Sequence, residues 1–344
     1  GEIKFPPQDV LQLKSYYLSS SVHVDSIDYL IGYNYRLHSL DCMNLKSKSV
    51  TQIVLPGDGP DAIVRLSGIY AQSLDSVWIS DESERAFLID SVGTIKRMID
   101  LKKYLEDQEQ LLINTNYAMF TSHLFYNASR HSLMFLVKHT PSNTFIVKEA
   151  FIDEVGKMAT YQLSSSKVVP DMSKGYAYIN FPNVNFVGEN IVYNYPVESS
   201  IYMLDIRTNE RKYILADSHY TSNIIEKCTT SGDYATLEKH WLENSHFYDI
   251  MYLPKYKIYA RLHADKVDFD EKKGMEKLIN ERDLYLMLFD ENMEKIGETK
   301  LSNCRYSPFT SWNATYGGIA LFVDNVLDEK NNTDDLTIDI ISLK

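Results

Sequence analysis

The chain has 344 residues, of which 44% are apolar and 24% are charged, as is typical of a folded globular protein. Its formal net charge of −12 argues against a nucleic-acid partner, because phosphate binding needs clustered Lys and Arg that acidic residues do not outnumber. No apolar run approaches the roughly 20 residues that cross a bilayer, so we expect no membrane span.

The chain begins with a short β-type run, Glu2–Phe5, which Pro6 and Pro7 end. Three further apolar runs then alternate with turn residues, at Tyr29–Asn34, Ser39–Met43 and Val50–Leu55. Each run has the length of one strand. Together they predict a first antiparallel sheet.

The stretch from Leu55 to Leu101 has the clearest pattern in the sequence. Four short apolar runs lie between turn signals, at Ile69–Ala71, Val77–Ile79, Ala86–Ile89 and Thr94–Leu101. Strands this short cannot bury a core alone, so a repeated four-strand unit implies that neighbouring units stack face to face. Such a unit is the blade of a β-propeller.

Looser copies of this unit fill the rest of the chain. Blade three is predicted at Ala118–Thr121, Leu133–Lys138, Thr144–Ile152 and Met158–Leu163, and blade four at Phe186–Val187, Ile191–Tyr195, Ser200–Ile206 and Arg211–Leu215. Blade five is predicted at Tyr234–Glu238, Lys257–Leu262, Asp283–Phe289 and Lys295–Leu301, and blade six at Phe309–Asn313, Gly318–Asp324 and Leu336–Ile341. The connection Leu101–Asn116 has the spacing of one or two helical turns, and the insertion Asp265–Arg282 in blade five has a helix-like composition.

We therefore predict an all-β fold, a six-bladed β-propeller of four-stranded antiparallel blades in one domain over residues 1–344. Strands from both chain ends commonly share one blade in closed propellers, which leaves no free sheet edge. We expect Glu2–Phe5, or Ser15–Leu18 just after it, to pair with the C-terminal blade.

The blade-two stretch also resembles a known repeat. Its landmarks match, in order, those of an NHL-type propeller repeat: Gly57-Asp58-Gly59-Pro60, Gly68-Ile69-Tyr70, Ser76–Asp81, Arg85–Asp90 and Gly93. With its other blades, the chain resembles the uncharacterised six-bladed β-propeller candidate lipoproteins of Bacteroides-type bacteria, whose domain has no known function. The resemblance implies a fold and a cell-envelope compartment, and it transfers no catalytic residue.

Localisation follows from this resemblance. The first residue is Gly1 instead of Met, so we expect any export signal to lie upstream of it. The resemblance implies that a lipid-accepting residue also precedes Gly1. The expected product is a periplasmic or outer-membrane-tethered lipoprotein.

Several motifs have competing interpretations. Gly57–Ala62 fits the G-x-G-x-x-G/A pattern, but no helical continuation follows, so we interpret it as an inter-blade turn. The nine histidines form no zinc motif, although a central metal site using His123, His240 or His263 stays open. We expect no metal, cofactor or catalytic residue. The sequence leaves open whether any of its three cysteines, Cys42, Cys228 and Cys304, form a disulfide.

One face of the predicted ring is the expected binding site. The turns that enter each innermost strand, and those between the second and third strands, lie together around the central channel. Their polar and aromatic residues are the candidates for ligand binding at the channel mouth: Arg36, His38, Asp61, Arg65, Asp81, Arg85, Tyr195, His219 and Arg305. The competing interpretation gives them ordinary roles in turns and in tethering blades.

The expected function is a non-catalytic binding or scaffolding role in the bacterial cell envelope. The protein is expected to be a monomer that binds a polar small molecule, a glycan or a protein. Two alternatives stay open: an enzyme acting on carbohydrate or peptide at the mouth of the channel, and a sensor module for a partner receptor. The fold alone cannot choose among them.

Overall fold

Six small antiparallel sheets stand around a common axis in the computed structural model, which describes residues 1–6, 13–112, 121, 123–168, 181–228, 233–330 and 335–343. The inner strands of neighbouring sheets contact one another around the ring, and the last sheet contacts the first. The predicted six-bladed β-propeller is therefore confirmed.

The strands follow the blades in chain order, apart from the first strand, β1 (Glu2–Phe5), which belongs to blade six. Blade one consists of β2 (Ser19–Val24), β3 (Ile27–Asn34), β4 (Ser39–Asn44) and β5 (Val50–Val54), and blade two of β6 (Leu66–Ser73), β7 (Ser76–Asp81), β8 (Arg85–Ile89) and β9 (Ile95–Asp100). Blade three consists of β10 (Glu109–Leu111), β11 (Phe125–Asn127), β12 (Ser132–His139), β13 (Thr144–Phe151) and β14 (Met158–Gln162), and blade four of β15 (Asn183–Val187), β16 (Asn190–Asn194), β17 (Ile201–Asp205) and β18 (Arg211–Ile214). Blade five consists of β19 (His246–Leu253), β20 (Ile258–Ala264), β21 (Leu284–Phe289) and β22 (Lys295–Lys300), and blade six of β23 (Trp312–Thr315), β24 (Gly318–Phe322), β25 (Leu336–Ile341) and β1.

The apolar core is divided among the interfaces between blades. The described residues form six clusters of buried apolar side chains, one at each interface between neighbouring blades. The cluster between blades three and four also includes four side chains from helices outside the sheets: Trp241, Leu242, Leu278 and Ile279. In β7, Val77 and Ile79 face blade one, whereas Trp78 between them faces blade three. Successive side chains of a strand point to opposite faces, so both faces of a blade are buried by its neighbours. Stacking of blades is thus what stabilises the sheets.

Both ends of the chain close the ring. β1 pairs antiparallel with β25, and Phe5 lies opposite Leu336. The guanidinium of Arg305 joins the two strands, because Nε donates to Asp339 over 2.6 Å and Nη2 donates to Glu2 over 2.9 Å. Of the two strands predicted to close the ring, Glu2–Phe5 is the one that does so.

The prediction for the first strand of blade five was wrong. Tyr234–Glu238 lies in a helix, α1 (Tyr234–Leu242), and the innermost strand is β19. Ala235, Leu237 and Glu238 favour helix, and the helix buries Trp241 and Leu242. The predicted helical insertion after β20 does contain a short helix, α2 (Met275–Asn280).

Blade three also differs from its prediction. The predicted strand Ala118–Thr121 lies outside the described residues except for Thr121, which is in no strand. Instead, β11 and β10 both pair with β12, at opposite ends of the same edge. The connection before them has one 3-10 turn, Leu101–Tyr104, where helical turns were predicted.

Candidate functional site

A cavity of about 460 Å³ lies on the axis of the ring and is lined by the innermost part of every blade. The strands β2, β6, β15, β19 and β23 contribute directly, and blade three contributes the residues around the start of β11. Gly188 and Pro254, in the turns after β15 and β19, also line the cavity. It therefore extends to the face of the ring that carries the first hairpin turn of each blade.

A bulge in β19 lies where this strand contributes a carboxylate to the cavity. Phe247 pairs with His263 and Ile250 with Arg261, so two residues of β19 stand opposite one residue of β20. Such a bulge changes the direction of side chains along a strand. Asp249 lies in the bulge, lines the cavity, and has a side chain that is 2% exposed.

Asp249 is held by a histidine and a tryptophan from two other blades. Its Oδ2 atom lies 3.0 Å from Nε2 of His123, and its Oδ1 atom accepts a hydrogen bond of 3.1 Å from Nε1 of Trp312. Trp312 in turn packs edge-on against Tyr248, with ring centroids 4.7 Å apart. Burial raises the pKa of Tyr248 to about 12, which keeps this neighbour uncharged at neutral pH.

The segment that carries His123 is fixed between blades two and four. The backbone N–H of Val184 donates to the carbonyl oxygen of Thr121 over 2.8 Å. On the other side, a Cβ atom at Gly68 would lie 3.2 Å from Cβ of Leu124. The glycine therefore permits a close approach of this segment to β6.

The two sides of the cavity differ in chemistry. Phe125 packs edge-on against Tyr70, with centroids 5.1 Å apart, and stacks on Phe186 at 4.9 Å, which gives an aromatic wall on blades two to four. On blades six and one, Asn313 Nδ2 donates to Ser19 Oγ over 2.6 Å, and Ser21 Oγ donates to the carbonyl oxygen of Ala314 over 2.5 Å. Hydroxyl and amide groups of blades six and one thus stand across the ring from this aromatic wall, and Tyr252 of blade five and Trp312 of blade six add further rings to the lining.

Comparison with known families identifies the chain. The model of the family described as "Domain of unknown function (DUF4221)" matches residues 7–300. The chain belongs to the DUF4221 family. No curated protein matches it.

Solved structures agree with this assignment. A DUF4221 family member from Bacteroides vulgatus ATCC 8482 matches with a TM-score of 0.79 and 14% sequence identity, over 98% of this chain and 95% of that chain. A candidate exported protein from Bacteroides fragilis NCTC 9343 matches with a TM-score of 0.55 and 14% identity, over 98% and 92% of the two chains. At these identities the likeness shows a shared fold. Within the described parts of this DUF4221 chain, no helix has the length and apolar character needed to cross a membrane.

The nine predicted site residues of this DUF4221 protein lie in turns, or at the strand ends beside them, on one face of the ring. The cavity reaches the opposite face, and none of the nine residues lines it. Four are exposed: Arg36, Asp61, Arg65 and His219. A ligand-binding role for the nine residues stays a prediction.

The other five have structural contacts. Asp81 is buried and accepts hydrogen bonds from the backbone N–H of Val64 and from Arg85 Nη2, at 3.2 and 3.0 Å. Tyr195 is buried and donates through its hydroxyl to the Ser164 carbonyl. His38 contacts the Tyr33 hydroxyl through Nδ1 at 3.1 Å, and Arg305 joins β1 to β25 as described above.

The histidines considered for a metal do not meet in the cavity. His123 lines it, whereas His263 contacts Glu298 through Nε2 at 3.0 Å and His240 contacts the Glu226 carbonyl at 2.7 Å. Among the described residues, no three His, Cys, Asp or Glu side chains are grouped closely enough to hold a metal ion. The same part of the chain contains no disulfide, and Cys42 is a buried thiol.

Sequence reasoning missed Asp249 and Trp312. The assignment of Tyr234–Glu238 as the inner strand of blade five placed Asp249 outside any predicted strand. A usable signal was present, because His246–Leu253 is an eight-residue β-type run with a single acidic residue in its middle. A lone carboxylate in an otherwise buried strand is rare enough to mark a candidate site.

Proposed function

We propose that this protein is a non-catalytic binding propeller of the bacterial cell envelope that takes a polar small molecule, or the end of a glycan, in its central cavity. The observation that carries the proposal is the two-sided wall. Aromatic rings on blades two to four stand across from hydroxyl and amide groups on blades six and one, and the Asp249–His123 pair lies between blades three and five. Small-molecule sites typically combine an apolar lining with a few fixed polar groups.

Titration calorimetry with a panel of polar small molecules and oligosaccharides tests this proposal. His123→Ala removes a polar group from the cavity, and His219→Ala removes the same side chain from the opposite face as a matched control. We expect a compound from the panel to bind the parent protein and the His219 variant with equal affinity. The His123 variant should bind it at least about tenfold more weakly, because one or two hydrogen bonds to the ligand are lost. Equal binding to both variants, or no binding by any compound, would refute the proposal.

The envelope location is also proposed. It is supported by the family match and by the fold shared with a candidate exported protein of Bacteroides fragilis. On this proposal, an export signal and a lipid-accepting cysteine precede Gly1, and the protein is a tethered monomer. Palmitate labelling and membrane fractionation of the full gene product test this, and an unlabelled cytoplasmic product would contradict it.

A second candidate function is hydrolysis of a carbohydrate or peptide bond. The observation that favours it is the Asp249–His123 contact at 3.0 Å, since a carboxylate that orients an imidazole is a common arrangement for a general base. Incubation with glycoside and peptide substrates tests it. Turnover that His123→Ala abolishes and His219→Ala preserves would replace the binding proposal.

A further inference from the structure

The described lining of the central cavity contains an acidic side chain but no Lys or Arg. That side chain is Asp249, the one carboxylate among the described residues that line the cavity. From this lining we propose that the cavity ligand is a small organic cation, an ammonium or quaternary ammonium compound. The inference rests on the proposed binding function and names the ligand class for the same site.

The hydrogen bonds of Asp249 are consistent with a carboxylate that carries a negative charge. An indole N–H can only donate, so Oδ1 acts as an acceptor toward Trp312. Oδ2 lies 3.0 Å from Nε2 of His123. Asp249 is therefore the one acidic side chain among the described lining residues that can balance the charge of a bound cation inside a partly enclosed site.

The rings of the cavity complement such a cation. Five aromatic side chains line it: Tyr70, Phe125, Phe186, Tyr252 and Trp312. The electron-rich faces of such rings attract ammonium groups, and quaternary ammonium ligands are commonly recognised by several rings around one site. A neutral molecule of the same shape lacks the positive charge that these rings and Asp249 attract.

The net charge of the protein and the size of the cavity also favour a small cation. The chain has 47 acidic and 35 basic residues, and the resulting net charge of −12 raises the local concentration of cations around the protein. The cavity volume of about 460 Å³ accommodates a choline-sized molecule with space for water. Charge, rings and size therefore favour the same ligand class.

The test compares choline with 3,3-dimethylbutan-1-ol, a neutral molecule of nearly the same shape, by titration calorimetry on the full chain. We expect choline to bind at least about tenfold more tightly than the neutral alcohol, as desolvated cation–π contacts and one carboxylate require. Asp249→Asn keeps an acceptor for Trp312 and should weaken choline binding at least about tenfold. Asp61→Asn, which removes the same charge from the exposed opposite face, should change it less than about twofold.

A second variant covers the case in which Asp249→Asn fails to fold. Phe186→Leu keeps an apolar wall but removes a ring, so choline should bind more weakly while the neutral alcohol is unaffected. Equal binding of choline and the alcohol would overturn the inference. If neutral sugars bind in a His123-dependent way and choline does not, the ligand class is wrong and the proposed binding function stands. If no compound binds, both are wrong.

Discussion

Replacing Phe5 tests whether β1 is needed to stabilise the ring. Phe5 is fully buried in the cluster between blades six and one, where it packs with Tyr16, Leu30 and Phe322. Truncation of a buried Phe to Ala costs roughly 4 kcal/mol, from lost burial and the cavity left behind. With roughly 2.1 cal/mol/K of unfolding entropy per residue, that loss lowers the melting temperature of a cooperatively unfolding 344-residue ring by about 5–6 °C.

Differential scanning calorimetry of Phe5→Ala measures this shift, with Lys4→Ala as the matched control on the same strand. Lys4 is exposed and makes a surface ion pair with Glu2 at 3.4 Å, so its removal should change stability by less than about 0.5 kcal/mol. A melting temperature unchanged by Phe5→Ala, or lowered equally by both substitutions, would show that β1 does not hold the ring closed.

Three further predictions concern Arg305, Glu298 and Gly68. Arg305→Gln should lower the free energy of unfolding by about 1–3 kcal/mol, because it breaks the charged hydrogen bonds to β1 and β25. Ligand binding in the cavity should not change. Denaturant unfolding and titration calorimetry measure the two effects, and lost binding at full stability would contradict the prediction. Burial raises the pKa of Glu298, but its hydrogen bonds, led by that from His263, lower the pKa by more than burial raises it. The pKa in the folded protein therefore lies below the ordinary 4.5. The stability that Glu298 contributes is therefore complete above pH 4.5 and lost as the pH falls below it, and Glu298→Gln should flatten this acid loss in melting curves; an unaltered pH profile would contradict the prediction. Gly68→Ala places a Cβ 2.7 Å from Ser80 Oγ and 3.2 Å from Leu124 Cβ, so we expect a loss of about 1–3 kcal/mol and weaker ligand binding, whereas unchanged binding would show that the His123 segment does not depend on this close approach.

Most of the fold could be predicted because its signals are local. The run Ser76–Asp81 alternates in the order that buries Val77 and Ile79 on one side and Trp78 on the other, and a three-residue turn precedes the next strand. Blades four and six were located by the same pattern. The closure by Glu2–Phe5 followed from a general property of rings, which is that an unpaired edge strand exposes backbone groups.

The candidate site could not be predicted in the same way, because its geometry depends on irregular features. Asp249 enters the cavity from a bulge, and a bulge has no reliable signature in a single sequence. His123 lies in no strand, and its position depends on contacts with β15 and with Gly68 from two other blades. Asp81 and Arg85, at the ends of neighbouring strands, could be recognised in the sequence as charged residues near a turn. In the structure their side chains bind each other within the blade. Polar residues in turns are easy to find, whereas those in irregular inner strands are not.

The pairing of β1 with β25 sets an order of events for the newly made chain. The last sheet needs residues from position 2 and from position 339, so nearly the whole polypeptide must be available before it is complete. Contacts this distant in sequence form slowly, because the loop that they close is long. A nascent chain therefore has an incomplete blade six, and the sheet edges beside it stay exposed until the C-terminal segment arrives.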